Sequence, residues 1–435
     1  MLRHLLPARS LCLALAALSL AAPVHVQAAA PQGAETPQYS DLDRFYAARP
    51  DPIWVGEKGL NGAGHALLAL LEGAKRDGLD PADYLDADLK KALRAKLDKP
   101  EARKALDRRL SGAFVKFVQD SRTVPASMPV AIGDRWAYPG PPSTLEVMSA
   151  LAADPMGYLR DLRWMHPIYR GLREEVTRTS DPAERRILLE NMDRARLLPV
   201  NRPRYILVDA AAAELYVYEG NAPRASMRVI VGAPETETPM IASTIYWAAL
   251  NPYWHVPGHI TRDAIAKRVL AEGMKYFNGR GYQVVDEWSH DPKIIDPKTV
   301  DWKAVAEGRK EIKVRQKPGP GNGMGKVKFQ FPNDLGIYLH DTPGKHLFDE
   351  VSRDLSNGCV RLEDADGLAK ILFDGKVPDS DKPEDLVNLP TPVPVYLTYF
   401  TRFPGEGGVV RRADVYRRDQ LRQAAGETRS ANSAR

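Results

Sequence analysis

Up to about residue 200 the apolar residues recur three and four positions apart; beyond it they alternate or run together over short stretches. The first period is that of amphipathic helices and the second that of strands, so the chain reads as a helical half followed by a β-rich half, an α+β fold. In the helical half, residues 65–75 follow Asn61, a fitting N-cap, and stop near Gly78. Residues 86–97, 101–119, 145–151, 157–177 and 182–198 predict further helices, with a proline-rich break over 125–142. The Lys and Arg residues between their apolar positions read as solvated faces. Strands are predicted over residues 204–209, 214–221 (running into a turn), 226–231, 245–250, 327–331, 336–339 and 393–400. Residues 261–316 interrupt them with polar, partly helical sequence, and an insertion of that length in a β-fold is usually a lid or a subdomain. The expected plan is a helical domain over 31–200, a β-rich domain over 201–403 carrying the insertion, and a C-terminal extension over 404–435. From 419 onward that extension is small and polar and is expected to fray.

Residues 1–30 stand outside this plan. Arg3 and Arg9 precede an apolar run over 11–22, Pro23 ends it, and Val26-Gln27-Ala28 or Ala28-Ala29-Ala30 offers small residues for cleavage. That is the layout of a secretory signal, and the run is too short to cross ~30 Å of hydrocarbon. Export to the periplasm is expected, with no membrane span in the mature chain. Cleavage lowers the net charge from +5 to +3, too mild a balance to argue for nucleic acid. It also removes Cys12, which lacks the small residues that lipidation would need before it. The mature chain then keeps one cysteine, Cys359. A disulfide scaffold and a Cys-only zinc site are excluded. A buried apolar thiol, an intermolecular bridge and a working nucleophile remain open for Cys359.

Several motifs fail on inspection. The glycines at 319, 321, 323 and 325 do not form a phosphate loop, because Pro320 and Val327 occupy positions where Gly and Ser or Thr are required. The dinucleotide pattern fails as well, and the stretch reads as a flexible hinge. His255 and His259 are four apart, but Val256 stands where a zincin has Glu, and Pro257-Gly258 keeps the pair off one helix, so no metal is expected. Neither Ser-x-x-Lys nor Gly-x-Ser-x-Gly occurs. What remains is Tyr338-Leu339-His340-Asp341 and Ser356-Asn357-Gly358-Cys359-Val360-Arg361. A thiolate attacks acyl carbons far better than a thiol, and a free cysteine with pKa near ~8.5 needs a neighbouring cation to ionise. His340 ends a short apolar stretch 19 residues before Cys359, and two adjacent strands joined by a loop would bring them together. Gly358 would let a substrate approach, the N–H groups of Gly358 and Cys359 would face an oxyanion, and Arg361 would bind a carboxylate. Alone, His340 also reads as a strand-end histidine and Arg361 as half of a surface ion pair.

With these residues in place the chain resembles the L,D-transpeptidases of bacterial cell walls, with their YkuD-type catalytic domain. It is most similar to their large periplasmic branch typified by YcbB. That family's signature is a His followed within twenty residues by Ser-x-Gly-Cys-[Val/Ile]-Arg, matched by His340 and by Ser356 to Arg361. The stretches 251–257, 316–322, 326–333, 338–343 and 396–401 also resemble this branch, as do 45–49 and 77–84 in the helical half. The resemblance implies that Cys359 is the acylated nucleophile and His340 its base and acid, oriented by Asp341 through either its carboxylate or its backbone oxygen. It implies an oxyanion and substrate site at Tyr338, Ser356, Asn357, Gly358 and Arg361, with Trp254 lining the groove. Asn357 stands where many relatives have His or Ser and is expected to contribute backbone only. Two departures stand out: no counterpart of the branch's peptidoglycan-binding module is legible, and the scaffold is abbreviated.

The implied reaction is two-step acyl transfer without a cofactor. A tetrapeptide stem acylates Cys359 with release of D-alanine, and the side-chain amine of a second stem resolves the thioester into a 3→3 cross-link. The insertion would cover both steps, and carbapenem acylation of Cys359 is implied. The same residues also fit a wall L,D-carboxypeptidase or endopeptidase, a transferase of another linkage or of lipoproteins, and a non-catalytic wall-binding factor.

Overall fold

The computed structural model describes residues 37–49 and 51–422; the expected secretory signal over 1–30, with the rest of 1–36, residue 50 and residues 423–435, lies outside the described residues. Eight strands carry the β-rich half: β1 (Arg204–Asp209), β2 (Glu214–Glu219), β3 (Ala222–Gly232), β4 (Met240–Leu250), β5 (Val327–Gln330), β6 (Leu339–His340), β7 (Val360–Leu362) and β8 (Asp385–Thr398). They hydrogen-bond in the order β5-β6-β7-β3-β2-β1-β8-β4, and β4 pairs back onto β5. The sheet therefore closes into a barrel without free edges along this circuit. Val130–Ile132 adds in parallel to the start of β4, and Asp354–Ser356 to the end of β3. In β8 the register shifts between Asn388 and Val393, where Pro390 and Pro392 have no N–H to give the ladder.

The alternation along β1 explains how the two halves join. Ile206 and Val208 point into the barrel core with Val217, Val229, Ile241 and Leu397. Tyr205 and Leu207 point the other way, into a second core shared with the helical half. A strand buried on both faces reads as an unbroken apolar run, as Tyr205-Ile206-Leu207-Val208 does. The helices are α1 (Pro37–Ala48), α2 (Gly62–Glu72), α3 (Ala87–Leu93), α4 (Pro100–Arg122), α5 (Thr144–Ala152), α6 (Pro155–Arg160), α7 (Pro167–Arg178) and α8 (Pro182–Ala195). Asn61 caps α2 by accepting the Gly64 N–H, and Ser143 with Glu146 closes a capping box on α5. The single helix expected over 157–177 is two helices, because Pro167 starts a new one and cannot continue the old. Helix α1 and the helix Ala365–Leu372 were not anticipated, although Ala365, Leu368, Ala369 and Leu372 bury one face of the latter at helical spacing.

The insertion is larger and more regular than its sequence suggests. It begins at Trp254 rather than 261. Trp254–Val256, Lys313–Gln316, Tyr282–Val285 and Ile294–Ile295 form their own antiparallel sheet. Val256, Ile265, Phe277, Val284, Trp302 and Val314 form its core, so it is a small folded subdomain. The glycine stretch that returns from it is fastened rather than a free hinge. The Asn322 side-chain amide donates to the carbonyls of Pro252, Gln316 and Lys317, and Gly323 leaves too little room beside the Trp254 ring for a Cβ, which would sit 2.9 Å from it. The C-terminal segment is also tied down further than expected. Asp419 is buried and accepts from Arg194 of α8 at 2.5 Å and from the Thr401 hydroxyl.

In the helical half one carboxylate organises the entry of the chain. Asp107 of α4 is buried and accepts from the backbone N–H groups of Ile53, Trp54 and Val55 and from the Tyr46 hydroxyl. Asp107→Ala leaves three backbone donors without their acceptor. It is expected to cost about 3–5 kcal/mol, read as a lower midpoint in urea unfolding. An unchanged midpoint would show that water replaces the carboxylate at no cost.

Candidate active site

The pairing of β6 with β7 builds the site. The strands run parallel, with Leu339 opposite Val360 and His340 opposite Arg361, and the Val360 N–H donates to the Tyr338 carbonyl at 3.0 Å. Side chains alternate along a strand, and paired residues share a face. Leu339, Val360 and Leu362 fill the barrel core. Tyr338, His340, Cys359 and Arg361 are thereby turned together onto the opposite face. On β5, Lys328 pairs with His340 and joins them. The two sequence blocks, 19 residues apart, thus meet as neighbours in one sheet.

His340 is 2 % exposed, and its Nδ1 lies 2.6 Å from the backbone oxygen of Asp341. A carbonyl only accepts, so Nδ1 carries the proton and Nε2 keeps its lone pair in the neutral ring. The choice left open by sequence is thereby decided: Asp341 orients His340 through its backbone. Its carboxylate is engaged elsewhere, with Lys345 Nζ at 2.8 Å and the Lys326 N–H at 2.9 Å. Burial opposes its charge, but Lys345 and backbone donors hold the carboxyl below its usual range. Burial pushes His340 down to about 4, so the ring is neutral at pH 7.

Burial also pushes the Cys359 thiol up, and Tyr338, Arg361 and Lys328 pull it part of the way back. Its sulfur lies 3.5 Å from the Gly336 carbonyl. The resting pair is therefore a thiol and a neutral imidazole, and the positive field on Cys359 comes from Arg361 and Lys328 rather than from His340. Arg361 is half-buried and has no carboxylate partner among the described residues.

The turn before Cys359 departs from expectation in one respect. The Gly358 N–H donates to the Ser356 hydroxyl at 3.1 Å, and that hydroxyl donates to the Cys359 carbonyl at 2.6 Å. The Gly358 N–H is thus spent inside the turn and does not face an oxyanion. Gly358 is required for its backbone, at φ +103°, a conformation other residues rarely adopt, while Thr238 donates to its carbonyl at 2.8 Å. Asn357 is exposed at the tip. Trp254 lies on the first strand of the inserted subdomain, with its ring against Gly323 and the subdomain core. Lys328 and Glu384 were missed by sequence reasoning. Lys328 alternates with the core residues Val327 and Phe329 in a predicted strand, where a lysine reads as a solvated outer position, and nothing marks Glu384 in a polar loop.

His255 lies on the first strand of the subdomain and His259 in the short turn of helix after it, and among the described residues no group of three His, Cys, Asp or Glu is placed to hold a metal.

Residues 203–394 match the L,D-transpeptidase catalytic domain and residues 40–176 match the Scaffold domain. The chain thus carries a catalytic domain of a cysteine acyltransferase family behind a helical scaffold. A protein of Haemophilus influenzae described as "Putative L,D-transpeptidase" is 30% identical over 241 residues, covering 54% of this chain and 48% of that protein. The chain therefore matches about half the length of that relative. Among solved structures, an L,D-transpeptidase from Mycobacterium smegmatis is 12% identical with a TM-score of 0.22, over 46% of this chain and 68% of the other. An L,D-transpeptidase in complex with imipenem is 13% identical with a TM-score of 0.22, over 44% of this chain and 58% of the other. Likeness at that level supports no statement about this chain.

The buried His340 ties stability to pH. Its folded pKa of about 4 lies below the ordinary 6.5, so between these values the unfolded chain binds a proton that the folded chain does not. Stability falls as pH drops through that window, by about 3 kcal/mol in full. His340→Gln is expected to flatten the dependence in urea unfolding between pH 7 and about 4.5; equal slopes in the two proteins would refute it.

Proposed function

We propose that this protein is a peptidoglycan L,D-transpeptidase that forms 3→3 cross-links in the periplasm. The observation that carries the reading is the shared face of Cys359, His340, Tyr338 and Arg361, with His340 presenting an unprotonated Nε2. In the first step Cys359 Sγ attacks the carbonyl on the L-centre of the donor stem's diamino acid. Its proton passes to His340 Nε2 as the S–C bond forms, which suits two groups that are neutral at rest. His340 then gives that proton to the departing D-alanine nitrogen, leaving a thioester. In the second step the side-chain amine of an acceptor stem attacks the thioester. His340 takes the amine proton and returns it to sulfur as the C–S bond breaks. Arg361, a cation without an acidic partner among the described residues, is suited to a stem carboxylate. Tyr338, from the residue pair beside Cys359, is suited to stabilising the oxyanion. The export segment at 1–30 supports action in the periplasm, where the wall is reached.

The test is mass spectrometry of muropeptides after incubating tetrapeptide-bearing sacculi with the mature protein. New 3→3 dimers are expected, absent with Cys359→Ala and reduced at least a hundredfold with His340→Ala. Asp341→Asn keeps the backbone oxygen that holds His340 and is expected to stay within severalfold of wild type. Shortened stems without dimers would make the protein a hydrolase, and dimers of another linkage would replace the acceptor. Imipenem is expected to acylate the same sulfur: its strained ring carbonyl opens on attack by Cys359, adding its full mass to the wild type and nothing to Cys359→Ala.

A further inference from the structure

With His340 neutral at rest, the charge that favours a Cys359 thiolate has to come from fixed cations. Arg361 lies two residues along from Cys359 on β7. Lys328 lies on β5, one strand beyond His340, and it is 6 % exposed. A lysine so deeply buried needs a partner for its charge. Its Nζ stands 5.0 Å from the centre of the Tyr338 ring, and Tyr338 is the residue beside Cys359 across the β6–β7 pair. Glu384 is its carboxylate, but loosely, at 3.5 Å. The other oxygen of Glu384 faces His255 Nε2 at 4.0 Å, and the His255 ring lies 4.8 Å from that of Trp288 in the inserted subdomain. Glu384 is thus held between the barrel wall and the subdomain, and Lys328 between Glu384 and the face of Cys359.

We propose that Lys328 is the buried cation that makes Cys359 reactive, and that Glu384 is a positioning residue that sets how much of that charge Cys359 feels. This rests on the reading of Cys359 as the nucleophile and adds its electrostatic control. The groups facing Cys359 are Arg361 from its own strand, Tyr338 and His340 from β6, and Lys328 from β5; Glu384 stands behind Lys328 and Tyr338. Of these, Arg361 and Lys328 favour the thiolate and the burial of the sulfur opposes it; the neutral His340 adds no charge, and the carboxylate of Glu384, paired with Lys328, offsets part of that lysine's field. The proton leaving sulfur is still accepted by His340 Nε2 during attack. Burial lowers the Lys328 pKa from its ordinary value, and Glu384 and Cys359 draw it back up; in the proposal the ammonium moves no proton and acts only through its field.

The pair predicts opposite effects from two single changes. The measurement is the rate of Cys359 alkylation by iodoacetamide against pH in the full chain, with the modified residue located by peptide mass. Lys328→Met keeps the aliphatic stem and removes the charge. It is expected to move the profile to higher pH and to slow alkylation at pH 7 about tenfold, and Lys328→Arg to bring it back towards wild type. Glu384→Gln is expected to move the profile to lower pH and to raise the rate at pH 7. An unchanged profile in Lys328→Met, or a shift of Glu384→Gln in the same direction as Lys328→Met, overturns the proposal. Should Lys328→Met fail to fold, the sign of the Glu384→Gln shift decides alone. No wall substrate enters the assay, so an absence of cross-linking would count against the proposed function and leave this result standing.

Discussion

Two pairs of residues, Leu339 with Val360 and His340 with Arg361, hold the site together. Because Leu339 and Val360 are both in the barrel core, their neighbours on either side are obliged to face outward together. A slip of one residue would turn the His340 ring into the apolar barrel core, away from its polar partners, and put Leu339 on the face of the site. The register is therefore held by the core, and the site inherits its accuracy from hydrophobic packing rather than from contacts among its own side chains. Strands this short would not hold a register alone. They do so because β5 and β3 flank them in a closed circuit that leaves no edge to slide along.

On that face, the environment matters as much as the identity of the groups. Burial keeps His340 neutral and its Nε2 available, while the same burial discourages the thiolate it would serve. Fixed cations ease this conflict: they act through space without taking the proton, so base and field are supplied by different residues. The turn over Ser356, Asn357 and Gly358 adds rigidity. Its hydroxyl bridge and the positive φ of Gly358 aim Cys359 from a backbone that has few other conformations.

The bodies around the barrel are built on the same economy of faces. Tyr205 and Leu207 on the outside of β1, with Tyr396 and Phe400, form one core with the helices, so the scaffold covers a barrel wall that would otherwise be an apolar surface. The C-terminal segment strengthens this join: Arg194 and Asn191 of α8 bind Asp419 and Thr401, which ties the end of the chain to the helical half. The subdomain has a core of its own and meets the barrel beside Trp254, His255 and the fastened glycine turn.

Periodicity alone made the helical and β-rich halves legible, as did the Asn61 cap and the apolar run of β1, because such local preferences act over a few residues. The lone cysteine beyond the expected signal and the Ser356-to-Arg361 block likewise pointed to the candidate nucleophile and its histidine. Short strands such as β7, and the four strands of the subdomain, escaped notice because too few residues alternate in them to outweigh chance. Sequence left the partner of His340 open between two oxygens of Asp341, and the fold chose the backbone one because Lys345 and Lys326 occupy the carboxylate. It set Gly358 down as an oxyanion donor, and the fold spent that N–H on Ser356. Lys328 and Glu384 had no local mark at all. The sequence by itself determined which residues carry reactive groups and which segments bury a face. Only the tertiary structure decided which groups stand together and in what charge state, since both depend on strands distant in the chain and on the water their packing excludes.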